Sequence, residues 1–266
     1  LILLFGIPHG AADHHIHFSI EKTTSSKTVF IVKYLAIALT YGIWWYLTPG
    51  KALVSFVIIS SYHFGQEFLE HIKLKDIKIT DIIIWGSIIM LLPITLAYEE
   101  LVKSITTFTA FTLPLISSSI KISLVVFLLF TVFLHITSAY LKKRITKKKM
   151  LKMLLLIFVI CSLFSYLPFL LAFTIYFLFF HSSHAFKAQY TWLKKHKKAY
   201  SISHFIKDLL PLSCIAIAGL STLIYFLEPD NWIDLLSYFF ILISIITLPH
   251  ALLFDDFYKT RKTTIV

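Results

Sequence analysis

Apolar runs of about 20 residues, the length a helix needs to cross a hydrocarbon layer about 30 Å thick, follow one another along this 266-residue chain. Short, lysine-rich gaps part them. A bilayer offers no partner to irregular backbone, so such runs must close their hydrogen bonds internally as helices. Composition agrees, with 58% hydrophobic and 15% charged residues and a mean hydropathy of +0.80, against roughly 45–50% apolar for water-soluble domains. The expected fold is an all-α, polytopic membrane helix bundle forming one transmembrane domain over residues 1–266.

Nine spans are expected, at residues 1–18, 28–47, 52–71, 80–98, 119–141, 150–166, 168–187, 205–227 and 232–258. The opening LILLFGIPHG has no initiator Met and no signal-peptide pattern, so the chain is expected to begin partway through its first span. Pro168 divides the sixth span from the seventh. Residues 101–118, with Thr, Ser and one Pro, are expected to form a loop or an interfacial piece.

Short cytoplasmic loops collect Lys and Arg, and the nine-span arrangement puts 22 of the 25 on one side, leaving Lys51, Lys103 and Lys121 on the other. The C-terminus and the Lys142–Lys149 loop are therefore expected to be cytoplasmic. The formal charge of +11 lies in short clusters between apolar runs, which excludes a nucleic-acid surface. Cys161 and Cys214 fall inside apolar runs, as packing residues do.

Ionisable groups inside spans are costly and mark function. His9, His63, His135, His181 with His184, and His250 fall in the first, third, fifth, seventh and ninth spans, all running toward the basic side. All but His184 sit at a common depth of roughly 9–14 Å from that boundary, counted at the helical rise. A lone buried histidine is usually a packing residue; five helices presenting imidazoles at one level argue for convergence on one point. His15, His17, His71, His196 and His204 lie at or beyond span ends, where they are expected to be solvated. His14 points about 140° away from His9 on a helix.

Imidazole nitrogens suit Fe, Cu, Zn and Ni, and metal-bound His commonly gives its other N–H to a carboxylate or carbonyl. Asp13, four residues after His9, and Gln66 and Glu67, three and four after His63, occupy the matching helical faces. Glu67 equally fits an ordinary solvated helix end.

Four strings occur in order along nearly the whole chain: GIPHGAADH (6–14), SYHFGQE (61–67), FHSSHAF (180–186) and LPHALLFD (248–255). Together they resemble the Brp/Blh family of membrane β-carotene dioxygenases of bacteria and archaea. The resemblance implies an Fe(II) enzyme of the cell membrane that cleaves the central double bond of β-carotene with dioxygen into two all-trans-retinal, often to supply a microbial rhodopsin. It places the metal-binding, catalytic histidines on His9, His63, His181 and His184, and gives Asp13 and His250 supporting roles. The chain departs from the family's HSxxH pattern, because His181 and His184 are three residues apart and not four. Both spacings keep two rings on one side of a helix, about 60° or 40° apart.

A transporter or channel using intramembrane histidines for metal ions or protons is the alternative. It is disfavoured because mid-span acidic pairs and Gly/Pro-broken helices in two matching halves are not seen. A lipid desaturase or hydroxylase would gather closely spaced histidines at cytosolic helix ends, whereas these are dispersed over several spans.

Overall fold

The computed structural model describes residues 10–20, 27–108, 113–227 and 232–263, and every regular element among them is helical. In chain order these are α1 (Asp13–Ile20), α2 (Lys27–Leu47), α3 (Pro49–Ile72), α4 (Ile79–Leu96), α5 (Tyr98–Phe108), α6 (Ser118–Leu141), α7 (Lys147–Tyr166) and α8 (Phe169–Tyr176). A π-helical turn (Phe177–Ser182) joins α8 to α9 (Ser183–His196), followed by α10 (Ile202–Leu227) and α11 (Trp232–Thr263).

Seven helices among the described residues are long and apolar enough to span a membrane, with α8, the π turn and α9 counted as one. Helix α3 has the length but carries the polar string SSYHFGQE. The break expected near Pro168 is present: α7 ends at Tyr166 and Leu167 is extended, as the residue before a proline prefers. Of the two expectations for 101–118, a loop or an interfacial piece, the loop is corrected in the first half, which is helical to Phe108. Glu99 and Glu100 in the first turn of α5 suit the positive end of the helix dipole.

The chain divides into two compact units, Leu1–Phe56 with Phe177–Val266, and Val57–Tyr176. In the first unit, α11 packs against α1 and α2, and α9 packs against α1. Ile16, Trp192, Leu193, Phe254, Phe257 and Tyr258 are buried together there. On α2, Val32, Leu35, Leu39 and Ile43 form an exposed apolar stripe, a face suited to lipid and not to water.

In the second unit α4 packs against α6 and α7. Its loops are tied to one another. Lys73 and Lys143 end α3 and α6 in left-handed conformation, with φ of 54° each, and Leu74 and Arg144 donate back to Leu69 and Ala139 carbonyls at 3.1 and 2.9 Å, closing both helix ends in Schellman fashion. Lys149 Nζ then donates to the Lys73 carbonyl at 2.6 Å, and Arg144 donates to the carbonyls of Lys75 and Asp76 at 3.1 and 2.6 Å.

Candidate metal centre

In the first unit, α1 and α11 bring together two groups 237 residues apart. His250 Nδ1 lies 2.9 Å from each carboxylate oxygen of Asp13, and Tyr34 on α2 donates its hydroxyl to Asp13 Oδ2 at 3.1 Å. Asp13 and His250 are 2% and 4% exposed, so water does not screen the pair. Gly10 sits beside them: a Cβ there would stand 3.7 Å from Asp13 Oδ2 and 3.8 Å from His250 Nδ1. His9, the residue before it and the first histidine expected at the metal, lies outside the described residues.

The same unit carries His181 at the end of the π turn, buried against the Phe177 ring at 4.9 Å between centroids. His184 follows on α9 and is half-buried. A π turn widens the helix by one residue and recurs at functional sites, so the three-residue spacing of these histidines crosses a π-to-α junction and is not that of a uniform helix. Ser183 Oγ donates to the Phe179 carbonyl at 2.6 Å, whereas the buried Ser182 hydroxyl has no hydrogen-bond partner among the described residues.

In the second unit His63, Gln66 and Glu67 are all buried on α3. Burial decides against the solvated helix end for Glu67, at 4% exposure. The tight approach of α4 explains the glycine in SYHFGQE: a Cβ on Gly65 would stand 2.3 Å from the Ile82 carbonyl oxygen, and one on Gly86 would stand 1.9 Å from that of Ser61. Only glycine at both positions lets the helix bearing His63 lie so close to α4.

His135, grouped by depth with the candidate ligands in the sequence, is engaged elsewhere. Trp85 Nε1, which can only donate, reaches His135 Nδ1 at 3.2 Å, so the proton of the neutral ring is on Nε2, 2.7 Å from Asp81 Oδ1. Arg144 grips the same carboxylate with two nitrogens, at 3.0 and 2.6 Å. Donating these hydrogen bonds to Asp81 in turn raises the Arg144 guanidinium above its ordinary range. Both ring nitrogens of His135 are thus committed to a structural lock. His15, expected to be solvated, is also half-buried, with Nε2 3.4 Å from Asp208 and Nδ1 3.3 Å from Lys197 Nζ.

A family model described as Beta-carotene 15,15'-dioxygenase matches residues 1–258. The chain belongs to the β-carotene 15,15'-dioxygenase family. A curated relative from Uncultured marine bacterium 66A03, named Beta-carotene 15,15'-dioxygenase, is 27% identical over 272 residues, covering 100% of this chain and 94% of its own. No solved structure matches. Family membership and the apolar helices make the chain a membrane protein and an enzyme of the carotene dioxygenase class.

For this dioxygenase-family chain, the donors at hand are buried imidazoles with carboxylate and amide oxygens, a set that suits iron(II). Both cysteines are free, one half-buried and one exposed. Among the described residues no group of three or more His, Cys, Asp or Glu side chains is close enough to hold a metal; what they bring together is the Asp13–His250 pair. Tyr34 and the Asp81–Arg144 clamp are absent from the sequence reading. Asp81 had a faint signal there, an acidic residue just inside an apolar run, while Tyr34 is one of 13 tyrosines with nothing to single it out.

Proposed function

We propose that this chain is an Fe(II)-dependent enzyme that cleaves β-carotene at its central double bond with dioxygen, giving two all-trans-retinal. The observation that supports it most is the deep burial of His63, His181 and His250 in apolar helices, at 1%, 2% and 4% exposure, because imidazoles placed at such cost are expected to act. His9, His63, His181 and His184 would hold the iron, Gln66 and Glu67 would orient His63 beside them, and the Asp13–His250 pair would support the centre. Iron(II), once bound, supplies the one-electron reactivity toward dioxygen that these side chains lack.

The protein contributes placement. A hydrocarbon dissolved in the bilayer reaches helices whose outward faces are themselves apolar, as on α2, with no aqueous step to cross. Helices fixed by close contacts such as Gly65 and Gly86 hold the ligands still, and a rigid polyene held against them offers one bond, the orientation that a single cleavage position requires. The charge asymmetry favours a cell-membrane protein with a cytoplasmic C-terminus, and a retinal product would serve a microbial rhodopsin.

Expression in cells that accumulate β-carotene tests the reading. Carotene should fall and retinal should appear, and His63→Ala should abolish both changes. An unchanged carotene pool with the protein inserted in the membrane would overturn the proposal and favour a transporter.

A further inference from the structure

We infer that His250 is itself a metal ligand, binding through Nε2, and that Asp13 and Tyr34 are the positioning residues that make it one. The inference rests on the metal centre proposed above and changes the part assigned to His250, from support to coordination.

An ionised carboxylate can only accept hydrogen bonds, and both oxygens of Asp13 lie 2.9 Å from His250 Nδ1. In the neutral ring that contact puts the proton on Nδ1 and the lone pair on Nε2. The ring is therefore held as the tautomer a metal requires at its far nitrogen, and donation to a carboxylate makes that nitrogen a stronger base. Tyr34 fixes the carboxylate in turn from α2, at 3.1 Å, so three helices α1, α2 and α11 set the direction of one imidazole.

Placement within the helix agrees. Pro249 removes the N–H that would otherwise bond the carbonyl four residues earlier, which loosens α11 immediately before His250. The ring packs on Phe254 at 4.4 Å between centroids, which limits its rotation. Gly10, within 4 Å of the pair for a built Cβ, ties it to the PHG string that carries His9.

The test uses the full-length chain in detergent, with Co(II) as the probe, read by chelator competition and by the visible ligand-field bands of bound cobalt. His250→Asn keeps an amide N–H close to the place of Nδ1, and so the bond to Asp13, but has no counterpart of Nε2. It should melt like the wild type yet bind Co(II) at least about 100-fold more weakly, with altered bands. Asp13→Asn should weaken binding by roughly 10–100-fold, the usual effect of removing a carboxylate behind a ligating His, and Tyr34→Phe by less. Added imidazole should restore cobalt and its bands to His250→Ala. Wild-type affinity in His250→Asn would overturn this inference while leaving the metal centre standing. Failure of imidazole to restore binding to a folded His250→Ala protein would also count against it. A wild-type chain that binds no Co(II) would overturn both readings together.

Discussion

Replacing Gly86 by Ala sets two physical effects against each other, and the contact distances decide which wins. Alanine is favoured over glycine in a helix interior by about 1 kcal/mol. Against that, a Cβ on Gly86 would lie 1.9 Å from the Ser61 carbonyl oxygen and 2.5 Å from its carbon. Ordinary contact begins near 3.4 Å, so α3 and α4 must part by about 1.5 Å, since backbone atoms have no rotamer by which to yield. Overpacking of this kind costs typically about 1–3 kcal/mol, and a shared backbone atom puts this case at the upper end, for a net loss near 2 kcal/mol. His63 lies two residues beyond Ser61 and moves with it. A displacement of about 1 Å at a reacting centre can lower a rate by about 10²-fold. Gly86→Ala should therefore melt earlier, followed by tryptophan fluorescence in detergent, and form retinal about 100-fold more slowly. Gly219→Ala is the control, because a Cβ there meets nothing within 4 Å among the described residues; it should be neutral or up to about 1 kcal/mol more stable, with full activity. A Gly86→Ala protein that melted at or above the wild type with unchanged turnover would refute the close-packing argument.

Arg144→Met should destabilise the chain by roughly 3 kcal/mol, because it removes the cation from the buried Asp81 carboxylate and leaves it only the His135 and Lys78 hydrogen bonds, and adding Asp81→Asn should recover part of the loss in the same melting assay. His135→Ala should cost about 1–2 kcal/mol from its two hydrogen bonds but leave iron content unchanged, whereas iron loss would return His135 to the metal. Elemental analysis should find little iron in His63→Ala or His181→Ala and full iron in His204→Ala, whose exposed ring bonds to Ser201. A single cysteine at the exposed Lys148 should resist an impermeant thiol reagent added to intact cells; rapid labelling from outside would invert the proposed topology.

How much could be known in advance follows from the range of each interaction. Helices were legible because lipid forces every span to be apolar over its whole length, and the break at Leu167–Pro168 because proline's effect is local. Helix α3 was legible from the apolar run that opens it, ALVSFVII, although the burial of Gln66 and Glu67 farther along was not: polarity in a sequence does not say which face is covered. The Asp13–His250 pair spans 237 residues, beyond any periodicity. The His181 turn was hidden differently, since a slip of one hydrogen bond from α to π leaves composition untouched. His135 misled because shared depth says nothing of rotation about the helix axis, and its rotation gives it to Asp81 and Trp85.

The stoichiometry of the reaction separates central cleavage by dioxygen from every rival. Purified protein loaded with Fe(II) should be given β-carotene and air in detergent, with dissolved oxygen followed at an electrode and pigments separated by chromatography. One dioxygen should be consumed and two retinal formed for each β-carotene lost, with no longer aldehyde. Apocarotenals longer than retinal as the main products would contradict cleavage at the central bond, and no carotene consumption by iron-loaded, folded protein would contradict the enzyme itself.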